Sequence, residues 1–133
     1  MKYLKDFKNK QRIAYLTLYN AFKNNKQSHV YLISGEKGSM LKESALLIAK
    51  SFVCENDILC CEECNDCKRI DNNSYTDVKL INFNNEGISV EDFENLQSEF
   101  AISAFEKKKI KIYIINLIEN AEEKATNKLL KFI

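Results

Sequence analysis

The chain has 133 residues, of which 45% are hydrophobic and 29% are charged, and its formal net charge is +1. This length suits one domain with a modest core, and the near-zero charge argues against a segment whose main task is to bind nucleic acid or an anionic membrane. There is no long apolar run and no signal-peptide pattern at the N-terminus, which predicts a cytoplasmic protein without membrane attachment.

The first half of the chain is predicted to contain a helix, a strand and a second helix, in that order. Apolar residues at helical spacing predict an amphipathic helix within residues 8–26, on the stripe formed by Tyr15, Leu18, Tyr19 and Phe22. A first strand is predicted at Val30 to Ser34, followed by a turn that contains Gly35 and Gly38. The next helix should begin near Met40 or Leu41, and its apolar residues predict that it is largely buried.

The second half continues the alternation of strands and helices. A second strand is predicted at Val78 to Phe83, and Ser89 and Asp92 form the capping box of the helix that follows. The continuous apolar run Ile110 to Ile115 predicts a strand covered on both faces, and a last helix is predicted from about Asn120 to Phe132. This order predicts an α/β fold with a parallel sheet. We expect residues 1–133 to be one N-terminal domain of a longer chain.

The first strand, the glycine turn and the helix together have the order of a phosphate-binding loop, whose pattern is GxxxxGK[ST]. Counting from Gly35, the second glycine, the lysine and the hydroxyl positions hold Met40, Leu41 and Lys42. A loop longer by one residue would place Lys42 at the lysine position, but Glu43 would then replace the hydroxyl that holds magnesium. The sequence therefore predicts the scaffold of a nucleotide site without its chemistry.

Four of the five cysteines lie between residues 60 and 67, which favours a metal site over a disulfide framework. Cys61, Cys64 and Cys67 follow one another at three-residue steps, a spacing that lets tight turns present thiolates to one zinc ion. Either Cys54 or Cys60 can supply the fourth thiolate, and Cys54 is preferred because it would anchor the segment to the preceding helix. Four sulfur ligands leave no open position, so the metal would be structural. An iron–sulfur cluster and metal-free core thiols are the alternatives. Residues 54–69 lack both helical and strand periodicity, which predicts an insertion held by the metal.

Three features in this order resemble the N-terminal domain of bacterial clamp-loader subunits, the AAA+ proteins of the DNA polymerase III holoenzyme. They are His29 before a strand that ends in glycine, the Cys-x2-Cys-x2-Cys motif after the loop's helix, and Asn127-x-Leu129-Leu130-Lys131 near the end. The resemblance extends from about Phe7 to Phe132. It implies the three-layer P-loop NTPase fold, and it implies structural zinc bound by Cys54, Cys61, Cys64 and Cys67.

The departures from this family concern its catalytic residues. A hydrolysing member needs the loop lysine, a hydroxyl on magnesium and an acidic pair at the end of the third strand. Asn116 and Leu117 occupy the acidic positions here, so two distant motifs have lost the same function. The resemblance therefore implies the delta-prime branch and not the ATP-hydrolysing gamma/tau branch. Gly35, Gly38 and Lys42, with Asn116, would remain as a degenerate nucleotide site at which ATP binding is not expected.

The delta-prime resemblance also implies partners. These are the gamma/tau and delta subunits of a hetero-pentameric clamp loader and, through that complex, the sliding clamp and primed DNA. Two other hypotheses remain: an active gamma/tau-type ATPase, and a zinc-ribbon module that binds nucleic acid or protein through Lys68 and Arg69. The only histidine, His29, has no histidine partner for a metal pair or catalytic dyad, so a structural hydrogen bond is expected there.

Overall fold

A computed structural model describes residues 2–36, 38–84 and 87–132, apart from the side chains of Phe100 and of residues 129–132. The chain divides into two compact units, Met1–Tyr75 and Thr76–Ile133. That both units belong to one AAA+-like domain stays a prediction. No helix among the described residues is both long and apolar enough to cross a membrane.

The described part of the first unit is helical. Its helices are α1 (Leu4–Lys10), α2 (Arg12–Lys23), α3 (Leu41–Val53) and α4 (Asn65–Asp71). Their shared core contains Tyr3, Phe7, Leu18, Phe22, Leu47, Leu59 and several of the cysteines. The helix predicted to begin near Leu41 is confirmed. The single helix predicted within residues 8–26 is wrong in its first part, because the chain leaves helical geometry at Gln11 (φ −125°, ψ 59°). No glycine or proline marks this break.

The strand predicted at Val30 to Ser34 is wrong, since the structure gives this segment no regular secondary structure. A strand exists only when a neighbour accepts and donates its backbone hydrogen bonds, and within the described residues the only strand pair lies in the second unit. The side chains of this segment still alternate in part between packed and exposed positions. The Tyr31 ring lies 6.4 Å from that of Phe52, whereas Val30 and Leu32 are exposed.

The second unit contains the parallel sheet. Its elements are β1 (Val78–Ile81), α5 (Val90–Phe100), β2 (Ile112–Ile115), a 3-10 turn (Ile118–Asn120) and α6 (Glu123–Phe132). The strands pair in parallel, with Val78 opposite Ile112 and Ile81 opposite Ile115. The α/β class and the parallel sheet are thus confirmed. β2 is less buried than the prediction of a strand covered on both faces requires, because all four of its residues are only half-buried.

Local hydrogen bonds fix the ends of these elements. The predicted capping box is confirmed, because the Ser89 N–H donates to Asp92 Oδ2 at 2.8 Å and the Asp92 N–H donates to Ser89 Oγ at 3.3 Å. The buried carboxylate of Asp77 accepts the N–H groups of Phe105 at 3.0 Å and Glu106 at 2.7 Å. One acidic side chain at the entrance to β1 therefore holds the loop that leads to β2.

Candidate metal centre and glycine turn

Four cysteines meet where α3 ends and α4 begins. Cys54 follows the last residue of α3, Cys64 is the N-cap of α4, and Cys67 lies in the first turn of α4. The Sγ atoms of these three residues and of Cys61 all lie within 4.8 Å of one another. Four sulfurs at the Zn–S distance of about 2.3 Å in a tetrahedron would be about 3.8 Å apart. The donor set and its spacing therefore fit a single zinc ion.

Backbone N–H groups point at these sulfurs and would stabilise them as thiolates. The N–H groups of Glu63 and Cys64 donate to Cys61 Sγ at 3.4 and 3.3 Å, and the Cys61 N–H donates to Cys54 Sγ at 3.3 Å. The hydrogen bond from the Glu63 N–H is the main reason why the pKa of Cys61 is lowered to about 6. This hydrogen bond therefore favours the thiolate form of Cys61, the form in which a cysteine binds metal.

Burial has the opposite effect on other thiols of the segment. It raises the pKa of Cys64 and of Cys67, so these thiols keep their protons when no cation is present. Zinc binds thiolates, and its binding would release those protons. Burial also raises the pKa of Cys60 to about 12. Cys60 is 1% exposed and packs in the core, and the four-sulfur group contains Cys54 in its place.

The segment that holds the cysteines differs from the prediction in one respect. Residues 54–69 were expected to lack regular structure, whereas α4 begins at Asn65. Its start is fixed by the N-cap, since Cys64 Sγ accepts the N–H of Cys67 at 3.5 Å. The helix is seven residues long, too short for periodicity to reveal.

A buried lysine lies beside the cysteines, and its ion-pair partners could not be identified from the sequence. Lys50 of α3 is 1% exposed, and its Nζ lies 3.0 Å from Glu62 Oε2 and 3.1 Å from Asp71 Oδ1. Glu62 is itself buried and sits inside the Cys61-x2-Cys64 turn with a φ of +60°. The sequence contained one indication of this ion pair, a lysine on an apolar helix face, because a fully buried lysine requires a paired carboxylate.

The glycine turn of the first unit is closed over a leucine. A Cβ atom added to Gly35 would lie 3.1 Å from Leu41 Cδ2, so the Leu41 side chain reaches back against the turn. Gly38 has a φ of +90°, and Met40, the N-cap of α3, is also left-handed at +57°. Lys42 is exposed on the first turn of α3. The apolar Leu41 thus stands where the phosphate-binding pattern requires a lysine.

Asn116 joins the ends of the two strands in the second unit. Its Nδ2 donates to the Asn82 carbonyl at 3.2 Å, and Asn82 Nδ2 donates to the Asn116 carbonyl at 3.0 Å. Asn82 Oδ1 also accepts the Gly87 N–H at 2.9 Å. The two amides therefore form a reciprocal clasp at the carboxyl ends of β1 and β2. An aspartate at position 116 would have no side-chain donor for this bond.

Comparison with known proteins now decides the family. The family model described as "DNA polymerase III, delta subunit" matches residues 10–133. This chain belongs to that family. The relatives include the DNA polymerase III subunit delta' of Bacillus subtilis (strain 168), which is 38% identical over 117 residues, or 87% of this chain and 35% of the relative. The resemblance inferred from the motifs is thereby confirmed.

Two further relatives come from the other branch. The tau subunit of DNA polymerase III from Bacillus subtilis (strain 168) is 37% identical over 119 residues, which cover 86% of this chain and 20% of the relative. The tau/gamma subunit from Haemophilus influenzae is 30% identical over 120 residues, which cover 86% of this chain and 17% of the relative. The chain thus spans about a third or less of the length of these curated relatives. The identities to delta' and tau differ too little to separate the branches.

Proposed function

We propose that this chain is the N-terminal part of a delta-prime-type clamp-loader subunit, which helps to load the sliding clamp onto primed DNA without hydrolysing ATP itself. The observation that supports the absence of ATP hydrolysis is the hydrogen bond that Asn116 Nδ2 donates to the Asn82 carbonyl. In a hydrolysing member, this position holds a magnesium-binding carboxylate. Here it holds a hydrogen-bond donor that serves the fold.

The glycine turn supports the same conclusion independently. The transferred phosphates of ATP need a cationic lysine at the end of the loop, and the uncharged Leu41 side chain fills that position against Gly35. The first hydroxyl group in α3 is that of Ser44. It donates to the Met40 carbonyl at 3.0 Å and lies 3.3 Å from the Tyr3 hydroxyl. This hydroxyl is therefore engaged within the fold. We infer that Gly35, Gly38 and Lys42 in the first unit, and Asn116 in the second, are remnants of two separate nucleotide-binding sequence motifs.

We also propose that Cys54, Cys61, Cys64 and Cys67 hold a structural zinc ion. The ion would link the end of α3, the turn before α4 and the first turn of α4, in addition to the core that these parts already share. Four sulfur atoms close enough to surround one ion favour zinc over an iron–sulfur cluster, in which several irons would separate the cysteines further. Structural zinc contributes directly to folding stability.

The partners that we propose follow from the relatives' names as subunits of DNA polymerase III. They are gamma/tau-type and delta-type subunits, with which the full-length protein would form a hetero-pentamer of AAA+ folds. The clamp and primed DNA would be contacted through that complex.

Two assays on the full-length protein test this function. The first is magnesium-dependent ATP hydrolysis by the purified protein alone, with a gamma/tau-type subunit as the positive control. We expect no activity above background, and activity that Lys42→Ala abolishes would identify an active ATPase instead. The second is co-purification with gamma/tau-type and delta-type subunits of the same organism. Failure to associate with either would contradict the clamp-loader role and leave the family assignment intact.

A further inference from the structure

We propose that Glu62 is a positioning residue that couples metal binding at the four cysteines to the docking of helix α1. This inference rests on the zinc site proposed above. It concerns a part of the chain remote in sequence from the cysteines, because the backbone groups that Glu62 contacts lie 58 and 59 residues before it.

The first step is the contact between Glu62 and the start of α1. The N–H of Tyr3 donates to Glu62 Oε2 at 2.8 Å, and the N–H of Leu4 donates to Glu62 Oε1 at 2.9 Å. The first N–H groups of a helix have no partner inside the helix, and the N-cap residue Tyr3 makes no side-chain cap here. The carboxylate of Glu62 therefore replaces the missing cap, and its charge suits the positive end of the helix.

The second step is the position of Glu62 between two of the candidate ligands. It follows Cys61 directly and precedes Cys64 by two residues, and its left-handed φ of +60° is unfavourable for a residue other than glycine. This conformation directs the flanking backbone N–H groups to Cys61 Sγ. The same turn thus shapes the sulfur site and presents the carboxylate to α1.

The third step is Lys50, which holds the carboxylate from the opposite side. Its Nζ donates to Glu62 Oε2 at 3.0 Å and to Asp71 Oδ2 at 3.3 Å. A buried charge that loses its partner is strongly destabilising, so Glu62 is well placed only when α1, α3 and the turn are assembled. Tyr3 and Phe7 add to this assembly, because they share one core with Cys54, Cys60 and Cys67.

Coupling follows from these contacts. Without a cation, only weak hydrogen bonds to sulfur connect the four cysteines, and the turn at Glu62 loses the constraint that metal–sulfur bonds would supply. Helix α1 has seven residues and is too short to persist alone, so it should become less ordered when the turn relaxes. Linkage is reciprocal, and docking of α1 must therefore favour metal binding by the same factor.

Hydrogen–deuterium exchange on the wild-type full-length protein is the first test. The protein is compared in its zinc-loaded form and after removal of zinc by a chelator. We expect exchange in the peptide that covers residues 3–10 to become at least about tenfold faster on zinc removal. A factor of ten corresponds to a coupling free energy of about 1.4 kcal/mol. Peptides from β1 and β2 serve as the internal control and should not change.

A matched pair of variants is the second test. Glu62→Gln removes the buried carboxylate charge, while the control Asp57→Asn makes the corresponding change at an exposed residue of the same cysteine segment. Chelator competition should show zinc affinity about 10–100-fold weaker for Glu62→Gln, the usual effect of losing a group that supports metal ligands. The affinity of Asp57→Asn should stay close to that of the wild type. The absorption bands of bound Co²⁺ report whether four thiolates are still present.

The outcomes separate this inference from the zinc proposal. A wild-type protein that binds neither zinc nor cobalt overturns both. A protein that binds zinc, but whose α1 exchange does not depend on zinc, overturns the coupling alone. Equal zinc affinity of Glu62→Gln and Asp57→Asn does the same. If Glu62→Gln does not fold, the exchange measurement on the wild type still decides.

Discussion

The amide of Asn116 offers the sharpest test of the proposal that this chain does not hydrolyse ATP. Asn116→Asp would introduce an acid at the position to which we assign magnesium binding in hydrolysing members. It would also place a carboxylate oxygen where Nδ2 now lies 3.2 Å from the Asn82 carbonyl oxygen. One hydrogen bond is lost and two oxygens face each other across it. The loss of such a bond from a partly buried pair costs about 1–3 kcal/mol. We therefore expect Asn116→Asp to destabilise the protein by about that amount without creating ATPase activity.

The matched control is Asn120→Asp, which makes the same chemical change at an exposed residue of the 3-10 turn. Urea unfolding, followed by far-UV circular dichroism, gives the difference in free energy of unfolding between each variant and the wild type. Asn120→Asp should change it by less than about 0.5 kcal/mol. An Asn116→Asp protein that is as stable as wild type, or one that hydrolyses ATP with magnesium, would refute the idea that the amide is retained for the fold.

Three further predictions concern stability and metal content. Lys50→Met should lower the free energy of unfolding by about 3–5 kcal/mol in denaturant titrations, because it leaves two buried carboxylates without their cation. Cys54→Ser should reduce the zinc content measured by mass spectrometry of metals, whereas Cys60→Ala should keep one zinc per chain, since Cys60 lies outside the four-sulfur group. Asp77→Ala should destabilise by about 1.5–3 kcal/mol in thermal or urea unfolding, because two loop N–H groups lose a charged acceptor.

Features encoded by short sequence spacings could be predicted well. The capping box needs only Ser89 and Asp92 at the right separation, and the sulfur group needs mainly the three-residue steps after Cys61. Apolar runs also located β1 and β2 to within a few residues. These signals succeed because the interacting groups are neighbours in the chain, so one stretch of sequence contains both partners.

Features that depend on distant partners could not be predicted in the same way. Residues 30–34 have the alternation of a strand, but alternation does not supply a hydrogen-bonded neighbour. The clasp between Asn82 and Asn116 joins residues 34 positions apart, and either asparagine alone reads as an ordinary turn residue. The amide at position 116 was visible in the sequence, while the hydrogen bond that it donates required coordinates.

Lys50 shows how far a sequence argument can be extended toward such contacts. It lies among Leu46, Leu47 and Val53 on the buried face of α3, where an unpaired ammonium group would be prohibitively costly. A lysine at such a position therefore implies a carboxylate within reach, and the nearby cysteine segment contains several acids. Choosing Glu62 and Asp71 required the structure, because the left-handed turn at Glu62 directs its carboxylate inward. That turn is also the one that places Cys61 and Cys64, so the charge buried by α3 and the geometry of the sulfur site depend on the same few backbone torsions.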